Sequence, residues 1–346
     1  MSGFDGMKNK WYLMNMEYPK KTSKVADELG AGVPPMAELP EPEEIDVAHV
    51  LDMYLSGEID LICVLGPTAS GKTKYAVRLA REVNALLARP AAEIISADSR
   101  QVYKGMDIGT GKDIGEYQEI PYHLIDIVPA GTRYNIYDYQ QDFEAAYYDI
   151  KERGGVPLLC GGSGLYIEAA TCGYRLPHVE PDMELRARLE EEDAAELRSR
   201  LLAMRPETPE GVMQSKRRII RALEVAMYEE QHPVERTCFL PKNVYYIGTL
   251  VSREERNARI DRRLDARLQE GMTDEVRGLL ASGIPPQDLV YYGLEYKYVT
   301  QYVQGIITFE EMRTLLANAI HQFAKRQMTW FRGMERDGLI IHWTVV

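Results

Sequence analysis

One eight-residue stretch, Gly66-Pro67-Thr68-Ala69-Ser70-Gly71-Lys72-Thr73, constrains this chain more than any other. It fits GxxxxGK[ST], a pattern that carries meaning only when a strand runs into it and a helix leaves it. Both flanks are present. Ile59 to Leu65 is a short apolar run closed by glycine, as expected of a buried strand. Lys74 to Leu87 then carries Tyr75, Val77, Leu79, Ala80, Val83 and Leu86 at near-helical spacing. The glycines let backbone N–H groups turn toward phosphate oxygens, and the helix N-terminus adds a favourable dipole. Lys72 supplies a point charge, and the Thr73 hydroxyl can join the coordination shell of Mg²⁺, the expected cofactor. All eight residues are candidate diphosphate ligands.

Further strand-like runs follow, each with a polar or glycine exit: Glu93 to Asp98, His123 to Val128, Val156 to Gly162 and Asn243 to Leu250. Helical material from Tyr137 to Arg153 separates the second and third of these. Such alternation predicts the α/β class, here a P-loop NTPase-like parallel sheet flanked by helices. Between about Gly173 and Lys242 the character is helical and charged, so an all-helical domain is expected as an insertion at 175–242. The catalytic core is then 58–174 with 243–346, helical from Arg253 to Trp330. Residues 1–57 read as an N-terminal extension. Its stretch Gly30 to Glu44 holds four prolines and several acids, which resist packing, and Asp46 to Leu55 suits a short helix.

Several function classes are disfavoured. No apolar run approaches the roughly 18 residues of a membrane span, and the N-terminus lacks the apolar core of a secretory signal. Cys63, Cys160, Cys172 and Cys238 show no CxxC spacing, which argues for reduced thiols in the cytoplasm and against a disulfide framework or structural zinc. The net charge of −12 argues against nucleic-acid binding by the whole surface. It leaves room for two local basic patches: Lys216-Arg217-Arg218 with Arg221, and the acid-free segment Arg313 to Met334 with Arg313, Lys325, Arg326 and Arg332. Taken alone, each fits a solvated helix face as well as a polyanion contact.

A P-loop does not reveal what happens to the phosphates, and phosphoryl transfer is its commonest use. Asp98 falls at the carboxyl end of the second strand, the edge at which α/β sheets bind ligands. In isolation it also fits a helix cap. Ser99, Gln101 and Tyr103 follow, then the glycine-rich Gly105 to Lys112; another strand ends in Gly161-Gly162-Ser163-Gly164.

Together, GPTASGKT, SADSRQVYKGMDIGTGK, HLIDI, PLLCGGSGLYI, RRIIRALEV and AKRQMTWFR stand in the order seen in tRNA dimethylallyltransferases. The chain resembles that family over about residues 59–335. The resemblance implies transfer of a dimethylallyl group from its diphosphate to N6 of the adenosine just 3′ of the anticodon, the P-loop holding the diphosphate leaving group and not ATP. It implies Asp98 as the base, with Arg263 and Ser163 as further catalytic side chains. It implies tRNA contacts from Asp98, Ser99, Gln101, Tyr103, Lys216, Arg217, Arg218, Lys325 and Arg326. Its expected partners are tRNA and dimethylallyl diphosphate, for a cytoplasmic monomer without membrane attachment.

Three features depart from the family pattern. The stretch before RALEV, usually close to HPND, is Val212-Met213-Gln214-Ser215. The usual glycine-tyrosine-basic element is Gly293-Leu294-Glu295-Tyr296-Lys297, where Glu295 would repel phosphate unless Lys297 takes over. The helical insertion is slightly short. Ser163 also stands where the family usually has threonine. Two other chemistries share the core: dimethylallyl transfer to free AMP, ADP or ATP, and phosphoryl transfer by a small-molecule P-loop kinase. For Trp330, RNA contact and core packing beside Arg326 both fit the helical spacing.

Overall fold

The computed structural model describes residues 40–173, 179–208, 210–232, 241 and 243–346. Most of the expected extension, and Cys238, lie outside these residues. Contacts divide the described residues into two units, one comprising 40–173 with 241–346 and the other 179–232.

The larger unit begins earlier than residue 58. Helix α1 (Val47–Leu55) starts at Asp46, whose carboxylate accepts a hydrogen bond from the His49 N–H at 3.0 Å. Its residues Val47, Val50, Leu51 and Tyr54 form one buried stripe in the main core. That i, i+3, i+4, i+7 spacing is what an amphipathic helix presents to a core, so residues assigned to the extension on sequence grounds belong to the folded unit.

A six-stranded parallel sheet forms its centre. The strands are β1 (Leu61–Leu65), β2 (Ala92–Ala97), β4 (Tyr122–His123), β6 (Val156–Gly161), β7 (Val244–Leu250) and β8 (Ile341–Val345), in the spatial order β4-β2-β6-β1-β7-β8. Every residue of β1, β2 and β6 is buried. Strands covered on both faces by helices do not alternate, so β1 reads as an unbroken apolar run, while β2 buries Glu93 against Arg153 and His123. Helix α2 (Lys72–Leu86) leaves the P-loop, α3 (Ile136–Glu152) starts at an Asn135–Asp138 capping box, and α4 (Gly164–Thr171) follows β6.

Two strand expectations change. His123 to Val128 is not one strand: Leu124 and Asp126 adopt φ of 63° and 57°, and the segment breaks into β4 and a separate β5 (Val128–Pro129), which pairs with β3 (Tyr103–Lys104). A buried lysine accompanies the break: Lys112, 2% exposed, reaches the Asp126 carboxylate with its Nζ from inside. Strand β8 was not anticipated from the sequence, although Ile341-His342-Trp343-Thr344-Val345 has the β-branched and aromatic content of one.

The smaller unit is helical: α5 (Met183–Glu191), α6 (Ala194–Met204) and α7 (Lys216–Gln231) close on Leu189, Leu197, Leu201, Val212 and Leu223. Val212, one of the departures from the family pattern, is a core residue here. Glu224, 2% exposed, is held by Arg186 (2.7 Å) and Arg221 and also accepts the Asp182 N–H at 2.7 Å. Removing a buried carboxylate from paired arginines strands their charge. Glu224→Ala should therefore destabilise this unit by an amount near the lower end of roughly 3–5 kcal/mol, because both arginines keep partial solvent access. Urea unfolding followed by circular dichroism measures it, and an unchanged midpoint refutes it.

The rest of the larger unit is α8 (Arg253–Gln269), α9 (Met272–Ala281), α10 (Pro286–Tyr291), α11 (Leu294–Val303) and the long α12 (Phe309–Arg336), which opens on a Thr308–Glu311 capping box. No helix among the described residues is long and apolar enough to cross a membrane.

Candidate active site

Strand register places the site. Ala97 of β2, Gly161 of β6, Leu65 of β1 and Gly248 of β7 stand in one row across four neighbouring strands. The next residues, Asp98, Gly162 and Gly66, leave the sheet at its carboxyl edge, while Thr249 continues β7 beside them. Candidates far apart in sequence are thus gathered by pairing alone.

The P-loop is clamped from both sides. The Ser70 hydroxyl bonds the Thr249 hydroxyl at 2.6 Å, and Thr249 Oγ1 also donates to the Leu65 carbonyl at 3.3 Å. On the other side the Thr68 N–H donates to Gln327 Oε1 at 2.8 Å. Gly71 caps α2 with φ 88°, a conformation that disfavours any side chain, and Ala69 is held at φ 60°. The first N–H groups of α2, those of Lys72 and Thr73, have no intrahelical acceptor and face the anion position.

Lys72 lies behind the loop, its Nζ 3.5 Å from the Pro67 carbonyl. Desolvation lowers its pKa, opposed by Cys160 and the Asp98 carboxylate and reinforced by Arg263. Asp98, Lys72 and Arg263 therefore share one electrostatic neighbourhood. One Asp98 carboxylate oxygen accepts the Arg100 N–H at 2.9 Å, and the other takes no hydrogen bond from a described residue. Ser163 Oγ accepts the Ser99 N–H at 3.2 Å, next to Asp98. Arg263 donates to the Asp113 carboxylate at 2.6 Å and to the Gly111 carbonyl at 3.2 Å. Arg259, one turn earlier on α8, was not singled out from the sequence; its guanidinium would come within 3.9 Å of a Cβ on Gly71. Its i, i+4 relation to Arg263 was the available signal.

Other expectations shift. Tyr103 is 1% exposed, packed edge-on against Tyr292 at 4.6 Å, so it is a core residue and cannot reach RNA. Gln101 spends its carboxamide internally, donating to the Gly111 carbonyl at 3.1 Å and accepting from Ser96 Oγ at 3.3 Å. Ser99 stays at the sheet edge, half-buried. The glycine-rich Gly105 to Lys112 is tied to α9. Its consecutive N–H groups from Asp107, Ile108 and Gly109 are taken by the Glu275 carboxylate at 2.7, 2.7 and 3.0 Å. Glu295 sits among Arg100, Arg263 and Arg267; burial pushes its carboxyl up while the three arginines pull it down. Burial outweighs the arginines, so the net direction for Glu295 is upward, and Lys297 lies over the Tyr298 ring.

The basic patches divide. Lys216 donates to the Glu190 carbonyl and Arg218 to the Gly211 carbonyl at 2.9 Å, whereas Arg217 is exposed. Lys325 is exposed, and Arg326 is half-buried over the Phe323 ring. The Trp330 indole lies against the Gly164 backbone, where a Cβ would meet Cδ1 at 2.3 Å, so packing accounts for it.

Thr73 is half-buried, and its hydroxyl has no protein partner among the described residues. No cluster of three His, Cys, Asp or Glu side chains suited to a metal occurs among them either. A single hydroxyl beside an anion loop fits Mg²⁺, which keeps most of its waters and takes further oxygens from phosphates.

Residues 101–334 match the model of the IPP transferase family. A tRNA dimethylallyltransferase of Porphyromonas gingivalis is 54% identical over 287 residues, covering 82% of this chain and 93% of its own. One from Bacteroides fragilis is 52% identical over 290 residues, covering 83% and 92%. The solved tRNA isopentenylpyrophosphate transferase of Bacillus halodurans superposes with a TM-score of 0.59 at 34% identity, covering 82% of this chain and 89% of its own. A eukaryotic dimethylallyltransferase acting on tRNA, at 21% identity and a TM-score of 0.65, shares the fold; coverage is 82% and 73%. The chain belongs to the IPP transferase family, the family of the tRNA dimethylallyltransferases.

Proposed function

We propose that this chain transfers the dimethylallyl group of dimethylallyl diphosphate to N6 of the adenosine 3′-adjacent to the anticodon in cytoplasmic tRNA, releasing diphosphate. The observation that carries this reading is the placement of Asp98 and the P-loop at one edge of the sheet, on strand ends with only β6 between them, in a chain of this family. An exocyclic adenine amine is a poor nucleophile because its lone pair is delocalised. As N6 attacks C1 of the allyl group, the C1–O bond breaks, its electron pair leaves on diphosphate, and the N6 proton passes to Asp98. The departing diphosphate gains charge, which Lys72, Arg263 and the loop N–H groups stabilise. Thr73 would hold Mg²⁺, which when bound neutralises diphosphate charge. Ser163 orients the Asp98 turn through Ser99. The adenosine must leave its stack to meet Asp98.

Incubation with Mg²⁺, labelled dimethylallyl diphosphate and either unmodified tRNA or AMP tests the reading. Label in tRNA supports it, whereas label in AMP alone keeps the chemistry and overturns the acceptor. No label in either refutes both.

Among the basic candidates, Arg217 and Lys325 are the ones whose side chains are free to meet phosphate. Arg217→Ala should weaken tRNA binding and reduce the slope of log affinity against log salt by about one. Lys216→Ala, whose ammonium is engaged with a backbone carbonyl, should change the slope less. Equal slopes for wild type and Arg217→Ala would mean this residue faces only solvent.

A further inference from the structure

We infer that Gln327 is a positioning residue that fixes the diphosphate cradle relative to the catalytic carboxylate. This inference rests on the function proposed above. Gln327 comes from α12, is 8% exposed, and uses both ends of its carboxamide. Oε1 accepts the Thr68 N–H of the P-loop at 2.8 Å, and Nε2 donates to the Gly162 carbonyl at 2.7 Å. One planar group thus ties the exit of β1 to the exit of β6. Gly162 is shaped for it, since a Cβ there would lie 2.6 Å from Gln327 Nε2. The next residue, Ser163, holds the Ser99 N–H at 3.2 Å, and Ser99 adjoins Asp98. The path Thr68–Gln327–Gly162–Ser163–Ser99–Asp98 therefore joins the loop that receives the leaving group to the base that receives the proton.

In-line displacement depends on that separation. C1 must lie between the departing oxygen and N6, and N6 must stay within reach of Asp98. Without the carboxamide both half-sites survive, but their spacing is no longer set. Each substrate still binds, while the aligned complex becomes rare. An allyl diphosphate held without an aligned amine is open to water, whose attack at C1 gives dimethylallyl alcohol and diphosphate.

Single-turnover transfer to tRNA, half-saturation by each substrate, and the ratio of alcohol to prenylated tRNA should be measured for wild type, Gln327→Ala and Gln327→Glu. Gln327→Ala is expected to slow transfer about 10²-fold, the scale of an ångström-sized misplacement. Half-saturation by either substrate should hardly move, and the alcohol share should rise. Ionised Gln327→Glu keeps the Thr68 bond but turns an acceptor toward the Gly162 carbonyl. Protonation restores the donor, so its rate relative to wild type should climb as pH falls toward the carboxyl range.

Folded Gln327→Ala with wild-type rate and product ratio overturns the inference. Loss of activity that only tracks loss of folded protein, with the product ratio unchanged, does the same. If Gln327→Ala does not fold, a Gln327→Glu to wild-type ratio that stays flat with pH overturns it. Wild-type protein that labels no tRNA refutes the proposed function itself, before any variant is compared.

Discussion

Asp98→Ala should cut turnover on tRNA by about 10²–10⁴-fold, the range typical of losing a general base, with diphosphate binding largely retained. The separation of effects follows from the geometry. Asp98 stands on β2 and the diphosphate cradle on β1, with β6 between them. Removing the carboxylate also removes the acceptor of the Arg100 N–H, so some loosening of that turn is expected. Asp98→Asn is the cleaner companion, because its Oδ1 still accepts that N–H while it cannot take the N6 proton. Both variants should be similarly slow if proton acceptance is the missing step. Recovery of most of the activity in Asp98→Asn would assign Asp98 to the turn and remove it from the chemistry.

Lys72→Met should lower the transfer rate about 10²–10³-fold, comparable to loss of one preorganised group facing developing charge. Its signature lies in pH dependence. Desolvation holds the Lys72 pKa below that of an ordinary lysine, so the free enzyme loses this charge earlier as pH rises. The alkaline limb of kcat/KM should therefore fall below the ordinary lysine range. Bound diphosphate favours the ammonium and raises its pKa, so the limb of kcat should lie at higher pH than that of kcat/KM. Two coincident limbs, or a Lys72→Met profile identical to wild type, would take Lys72 out of the leaving-group site.

What the sequence disclosed, and what it concealed, divides along one physical line. The P-loop, its strand and its helix are local, and so were visible in order. The carboxylate at the end of β2 was visible because the strand before it is fully buried and centred on Ile94-Ile95. The partners of these residues come from far along the chain. Thr249 is separated from Ser70 by 179 residues and Gln327 from Thr68 by 259, and no periodicity announces such pairs. Tyr103 was misjudged for a related reason. It lies in a segment with family-specific residues, yet its side chain is buried, and orientation within an irregular loop has no sequence period. Glu295, which looked like a phosphate repellent, lies in the field of arginines on α8 and after β2, a neighbourhood that no local spacing discloses. Strand β8 escaped notice because its residues follow a helix of 28 residues whose pattern dominates that end of the chain.

The distance in sequence between Thr68 and Gln327 also has a temporal meaning. A ribosome makes this chain from the P-loop outward: cradle first, then Asp98, then the Gly162 turn, and only much later the carboxamide that joins them. Until α12 has emerged and docked, a nascent chain carries phosphate ligands and a base with no fixed spacing between them. The late arrival of one amide thus makes competence for transfer a property of chains that have been extended through α12, so that shorter nascent chains have no aligned site in which to spend the activated prenyl donor.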